Sequence, residues 1–388
     1  MDTFFPKFSK KREGVNVIME QKLLKNVNHL ILNGETCTGC GICAEACPEE
    51  AISIGLVGAI GRGAVDYAEP VNIDEEKCSY CGVCVVLCPF NALTLKVDGE
   101  ERLPILEKEG FPQYDMVTDI DQEKCVACTI CEDVCPRDAI DRQVPEFEGT
   151  SEDGRPKQAA LTASLKFTVD EEKCTMCGIC DSLCPAIDVK RKPFSAESGA
   201  VAGEVVWNEE LCDACQICAE ACPEDAIVIE RTVESAKIDG SVDIIQENCC
   251  TCRWCAINCP TEAITVEKIF EGEINFDAEK CPAGCSTCIE VCPANAIYLP
   301  SPLPADQMKG QQEEKIAVND DLCILCGACV YACPGEDIIT LKRTGIRVKG
   351  KETDLFLKIK DKLCTPRTSK VRESTQGQVE TKKVGESA

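Results

Sequence analysis

The chain has 388 residues, 34 of them cysteine, with 5% aromatic residues and a formal charge of −26. So acidic a balance argues against nucleic acid, whose phosphates demand Lys and Arg, and favours partners with basic docking patches. A chain this long is not a small disulfide scaffold, and its thin aliphatic core makes bound metal the expected staple.

The opening segment, MDTFFPKFSKKREGVNVIMEQK, lacks an apolar stretch followed by a small-residue cleavage site, so no signal peptide is expected. No run of about 18 apolar residues occurs either, so no membrane span is expected and the location reads as cytoplasmic. His29, the single histidine, has no partner ligands nearby in sequence and reads as a strand or surface residue.

At residues 37–48 the chain reads CTGCGICAEACP, and this run recurs seven times. Motif one holds Cys37, Cys40, Cys43 and Cys47; motif two holds Cys78, Cys81, Cys84 and Cys88. Motif three holds Cys125, Cys128, Cys131 and Cys135; motif four holds Cys174, Cys177, Cys180 and Cys184. Motif five holds Cys212, Cys215, Cys218 and Cys222; motif six holds Cys249, Cys252, Cys255 and Cys259. Motif seven, Cys281, Cys285, Cys288 and Cys292, has three residues in its first gap instead of two; motif eight holds Cys323, Cys326, Cys329 and Cys333. Proline follows every fourth cysteine, from Pro48 to Pro334.

Three thiols spaced by two residues on a wound loop can reach three irons of one 4Fe–4S cubane. The three-residue gap starts a short helix that carries the fourth thiol toward a different cluster, and proline ends that helix because it lacks the next N–H. Structural zinc uses two ligand pairs separated by a finger or ribbon, not one tight run closed by proline. The spacing of motif seven resembles a radical-SAM signature, but its fourth cysteine and proline keep the ferredoxin distance and no surrounding barrel has room. Eight clusters with 32 cysteine ligands are therefore expected, leaving Cys250 and Cys364 over as non-ligands. Cys249 rather than Cys250 keeps the two-residue gap to Cys252.

The flanks repeat as well. VNIDEEKC, FTVDEEKC and INFDAEKC lead in as a strand and an acidic turn, and EEAISI, FNALTL, EDAIVI and TEAITV lead out as a second strand. GLVGAIGRG, residues 55–63, is followed by VDYAEP rather than by a helix, which predicts a glycine-rich hairpin turn and no phosphate site. The charged, Gly- and Pro-containing insertions at 96–116 and 141–166 read as surface loops. Trp254, inside motif six, is placed either to shield that cluster from water or simply to pack.

In two-cluster ferredoxins each cluster takes three cysteines from one motif and the fourth from its partner. Eight motifs then make an α+β fold of four bacterial-type two-cluster ferredoxin-like modules, tandem or nested. The short linker from Cys259 to Cys281, together with the unusual endings CPAIDV and CPGEDIITL, favours nesting of one with four, two with three, five with eight and six with seven. Nesting would bring Cys292 to Cys249, Cys252 and Cys255; sequential pairing would bring Cys222. The expected division is a four-cluster half at 1–196, a second at 197–364, and a disordered tail at 365–388.

With these motifs the chain resembles the archaeal polyferredoxins, most of all the polyferredoxin subunits of tungsten- or molybdenum-dependent formylmethanofuran dehydrogenases, over about residues 30–345. The resemblance implies an electron-transfer subunit with no catalytic site of its own. It would conduct low-potential electrons to or between metallopterin subunits that reduce carbon dioxide. Implied partners are protein subunits of a larger oxidoreductase complex and other ferredoxins; the alternative is a free or hydrogenase-associated electron carrier.

Overall fold

Each cysteine run lies between two strands, and in every run except motif six, where Ile245 takes the position, an Asx turn feeds the first strand into the run. Asp74 Oδ1 accepts from the N–H groups of Glu76 and Lys77, both at 3.1 Å, and Asp121, Asp170 and Asp277 repeat the arrangement. Asp and Asn favour this turn because their short side chains mimic a backbone turn. The N–H of the first cysteine then bonds back to the carbonyl of the Asx residue, as from Cys78 to Asp74 and from Cys125 to Asp121. This computed structural model describes residues 6–143, 162–192, 201–212, 214–234, 240–277, 279–282, 285–299, 316–370 and 379–381. Most of 141–166 and of the stretch around 191–204 lies outside them.

The module architecture is α+β, as expected, but the pairing is neither of the two predicted. Motifs one and two form the first module: Val27–Leu32 pairs Leu93–Val97, and Ile52–Ile54 pairs Val71–Ile73. Motifs three and six form the second, through Thr118–Ile120 with Ile264–Val266 and Ile140–Gln143 with Ser241–Ile244. Motifs four and five form the third, through Thr162–Val169 with Ile227–Glu234 and Ile187–Arg191 with Gly203–Trp207. Motifs seven and eight form the fourth, whose long pair is Phe270–Phe276 with Ile339–Ile346. Every pair is antiparallel, and in every module the strand entering one motif pairs the strand leaving its partner.

The short linker between motifs six and seven does not fold on itself: Ile264–Val266 and Phe270–Phe276 form no hairpin, and each finds its partner far away in sequence. The division expected at 196/197 is not the structural one either, since both strand pairs of the third module cross it. Contacts instead gather the chain into a first unit of 1–116, 268–293 and 324–388 and a second of 117–267 and 294–323.

In the first unit the core of the first module combines Val17, Met19, Leu30, Leu32, Ile73 and Leu95 with Cys43, Cys47 and Cys84. An N-terminal hairpin, Lys7–Glu13 with Asn16–Lys22, extends its sheet, and His29 sits on the strand that hairpin covers. The glycine-rich stretch at 55–63 is a short helix, Val57–Gly61, not the expected hairpin. Residues 96–116 are not a plain loop: Pro104–Glu109 is helical, and Ile105, Phe111 and Tyr114 are buried. The described part of the tail is ordered too. Arg367–Thr368 joins the strand Ile339–Ile346, Val379–Thr381 pairs Val65–Ala68, and buried Ser369 Oγ accepts from the N–H of Ile338 at 2.9 Å. Among the described residues no helix is long and apolar enough to cross a membrane.

Candidate iron–sulfur centres

Among the described residues, seven of the runs turn at the residue before the second cysteine. Gly39, Tyr80, Ala127, Met176, Ala214, Thr251 and Leu325 all have φ between 53° and 66°. The turn brings N–H groups onto sulfur: those of Tyr80, Ala127 and Thr251 donate to Cys78, Cys125 and Cys249 at 3.4–3.5 Å. At the other end the N–H four residues past the fourth cysteine donates back to it. Ala51, Ala92, Ala139, Ala226 and Ala263 reach Cys47, Cys88, Cys135, Cys222 and Cys259 at 3.2–3.3 Å. Such donors stabilise negative charge on sulfur, which suits thiolate ligands.

The thiols group three plus one. A cavity in the first module is lined by Cys78, Cys81 and Cys84 of motif two and by Cys47 of motif one, with Leu30, Ile52, Tyr80 and Leu95 as apolar walls. Its counterpart in the second module is lined by Cys249, Cys252 and Cys255 with Cys135. Cys135 therefore takes the position that nesting assigned to Cys292 and sequential pairing to Cys222. Mutual charge effects trace the reciprocal sets. Burial raises the Cys40 thiol to about 12, with the charge of Cys88 adding to it. Burial likewise raises Cys131 to about 12, with Cys128, Cys125 and Cys259 adding. In the third module Cys180 is raised to about 12 by burial and by Cys177, Cys174 and Cys222, and Cys218 to about 12 by burial and by Cys184, Cys180 and Cys212. In the fourth, Cys288 is raised to about 12 by burial, then by Cys281, Cys285 and Cys333, so the irregular motif seven still gathers its thiols.

Buried thiols packed this closely hold their protons firmly when free, and a metal inverts that preference by deprotonating them. The apolar walls, the inward N–H donors and the all-sulfur sets suit a 4Fe–4S cubane, which supplies reversible one-electron chemistry when bound. Cys250, the extra thiol, is 2% exposed and hydrogen-bonds Cys252 within the same cavity. The Thr251 N–H on Cys249 keeps the register of the other motifs. Cys364 ends the helix Asp354–Cys364 and is half-buried. Trp254 is buried, with its indole N–H on the Ala294 carbonyl at 2.7 Å, so packing alone accounts for its place.

Charged residues outside the motifs were not legible as part of these centres. Arg142, Arg191, Arg231 and Arg343, on outgoing strands, donate to the carbonyls of Ala127, Met176, Ala214 and Leu325 at 2.5–2.9 Å. Those acceptors are the left-handed residues at the turn of the run. Superposing the eight repeats would have exposed the pattern in motifs three and four, whose arginines sit at the same distance from the fourth cysteine. In the first unit Arg343, 1% exposed, also reaches the carbonyls of Cys326 and Leu363 and the carboxylate of Glu45 at 3.3 Å. Tyr331 donates to the same Glu45 carboxylate.

Paired strands around swapped thiol sets define bacterial-type two-cluster ferredoxin modules, repeated along one chain. The 4Fe–4S dicluster domain model matches residues 36–92, 77–139, 124–187 and 280–336, and a 4Fe–4S binding domain model matches 205–228; the chain belongs to the 4Fe–4S dicluster domain family. It is a polyferredoxin-type electron-transfer protein carrying about eight 4Fe–4S clusters. The overlapping matches cannot all be modules, because motifs two and three would each be used twice. The structure keeps 36–92 and 280–336 and pairs the others differently.

A chain of the formate dehydrogenase–heterodisulfide reductase–formylmethanofuran dehydrogenase complex from Methanospirillum hungatei is 57% identical, with a TM-score of 0.71 over 99% of this chain and 100% of that one. Polyferredoxin protein FwdF of Methanocaldococcus jannaschii is 48% identical over 46 residues, and ferredoxin Fdx8 of Sorangium cellulosum is 37% identical over 67. These matches span 12% and 15% of this chain, and 13% and 61% of the two relatives.

Proposed function

We propose that all 32 motif cysteines are ligands, in eight three-plus-one sets. Cys37, Cys40 and Cys43 share a cluster with Cys88, and Cys78, Cys81 and Cys84 share one with Cys47. Cys125, Cys128 and Cys131 go with Cys259, and Cys249, Cys252 and Cys255 with Cys135. Cys174, Cys177 and Cys180 go with Cys222, and Cys212, Cys215 and Cys218 with Cys184. Cys281, Cys285 and Cys288 go with Cys333, and Cys323, Cys326 and Cys329 with Cys292. The chain then conducts low-potential electrons to or between the metallopterin subunits of a formylmethanofuran dehydrogenase assembly during carbon dioxide reduction. It performs no catalysis of its own and works in the cytoplasm.

The observation that carries this reading is the end-to-end likeness to a chain of the Methanospirillum complex. The net charge of −26 supports docking to basic partner faces. Anaerobic purification through an affinity tag on the native chain tests it. Metallopterin subunits should co-elute through gel filtration, and the isolated chain should show no substrate-dependent turnover. A chain that elutes alone with its iron in place would instead be the free carrier.

A further inference from the structure

Two of the four arginines that seal a cysteine run do so on their own motif. Arg142 donates to the Ala127 carbonyl of its own motif, and Arg191 to that of Met176. Arg231 does more. One guanidinium nitrogen donates to the Ala214 carbonyl in motif five, at 2.5 Å, and the other to the Asn258 carbonyl in motif six, at 3.0 Å. Ala214 immediately precedes Cys215, and Asn258 immediately precedes Cys259. Both sets belong to the second unit, but Cys215 lies in the third module and Cys259 completes the motif-three set of the second. The backbone that ends motif six is rigid here: Asn258 is fully buried, and its side-chain amide donates to the Trp254 carbonyl at 2.9 Å.

Arg343 holds a comparable place in the first unit, but the buried Glu45 carboxylate lies 3.3 Å from it and offsets its charge. Arg231 is half-buried: burial lowers its affinity for the proton, and the neighbouring Cys259, Cys128 and Cys215 act in the opposite direction. A guanidinium stays protonated at any working pH, and its planar fork suits two carbonyls at once.

We propose that Arg231 is the positioning residue of the junction between the second and third modules, fixing the two cysteine runs against each other and raising the reduction potentials of the clusters on both sides. The proposal rests on the ligand sets given above. Reduction adds negative charge to a cluster, and a fixed cation in a poorly solvated junction stabilises the reduced form. Two potentials should therefore move with this one side chain: that of the Cys125, Cys128, Cys131 and Cys259 set, and that of the Cys212, Cys215, Cys218 and Cys184 set.

The test uses the full chain, loaded anaerobically, as Arg231→Gln, Arg231→Lys and Leu165→Glu. Leu165 lies directly across the strand pair from Arg231, so a carboxylate there offsets the charge without removing the donors. Iron and sulfide are counted first, and an EPR-monitored redox titration follows. Arg231→Gln and Leu165→Glu should each lower the reduced-to-oxidised ratio of two clusters about tenfold at a fixed potential, equivalent to about 59 mV for one electron. Arg231→Lys should recover most of that shift, whereas Arg142→Gln should move one cluster only. Unchanged titrations in both charge-altering variants at full iron content would overturn the proposal, as would a lysine variant that shifts as far as the glutamine one. If Arg231→Gln fails to load, Leu165→Glu and Arg231→Lys decide alone. A wild-type chain with far fewer than 32 irons would instead overturn the ligand sets.

Discussion

Cys135 lines the cavity of motif six although it lies more than a hundred residues before it, so single thiols report which runs belong together. Cys135→Ser should damage the centre built on Cys249, Cys252 and Cys255 and leave the one built on Cys125, Cys128 and Cys131. Iron analysis should show a loss of about four irons from one cluster, and Cys259→Ser should produce the reciprocal spectrum. Cys250→Ala should keep all its iron while Cys249→Ala does not; equal losses would mean that the ligand register had been misplaced. The buried pair of the first unit offers a stability test. Arg343 finds three carbonyl acceptors, which satisfy its N–H groups but not its charge, and Glu45 supplies the counter-charge. Both side chains are almost fully buried, so Glu45→Ala strands a cation and should cost about 3–5 kcal/mol in anaerobic denaturant unfolding.

Among the secondary elements, the strands beside each motif were legible because apolar alternation and the Asx residue both survive in the sequence. The helix Val57–Gly61 was not. The four glycines of residues 55–63 suggest a turn, whereas Gly58 serves close packing: a Cβ there would lie 2.4 Å from the Ala332 carbonyl and 3.0 Å from the Thr287 side chain. Gly58→Ala should thus push this helix off its neighbours and lower the unfolding free energy by about 1–3 kcal/mol, read as a lower denaturant midpoint, although alanine is the better helix former. The insertion at 96–116 conceals its order for a related reason. Its charges dominate the count, but Ile105, Phe111 and Tyr114 are inside, and the Tyr114 hydroxyl donates to the Leu87 carbonyl at 3.0 Å. Three spaced apolar residues among charges are too weak a periodicity to separate an anchored segment from a loop.

For the molecule as a whole, the count of modules was readable and their membership was not. Ligand spacing is local chemistry, written within eleven or twelve residues, whereas partner choice is settled by strand pairing over long separations, on which linker length is silent. The cores are also unequal. The first module buries a broad aliphatic set, but among the described residues the core cluster of the third is Ile187, Cys218 and Ile227, with Ile179 and Met176 buried in the cysteine run and the stacked rings of Phe167 and Trp207 beside them. So small a core needs its metal. Stripping iron with a chelator under reducing conditions should expose segments 164–191 and 203–231 to hydrogen exchange well before 27–97. Simultaneous loss of protection everywhere would show that the modules do not differ in this dependence.

The pairing of motif three with motif six also has a consequence during synthesis. The first module can close once residue 97 leaves the ribosome, because both of its motifs are then free. Motif three must wait until residue 266 emerges, on the order of ten seconds later at ordinary elongation rates, and the whole third module is made in between. Its thiols stay uncapped for that interval, so an oxidant pulse on nascent chains would strike there first, and assembly would follow the order in which partners appear rather than the order in which motifs are encoded.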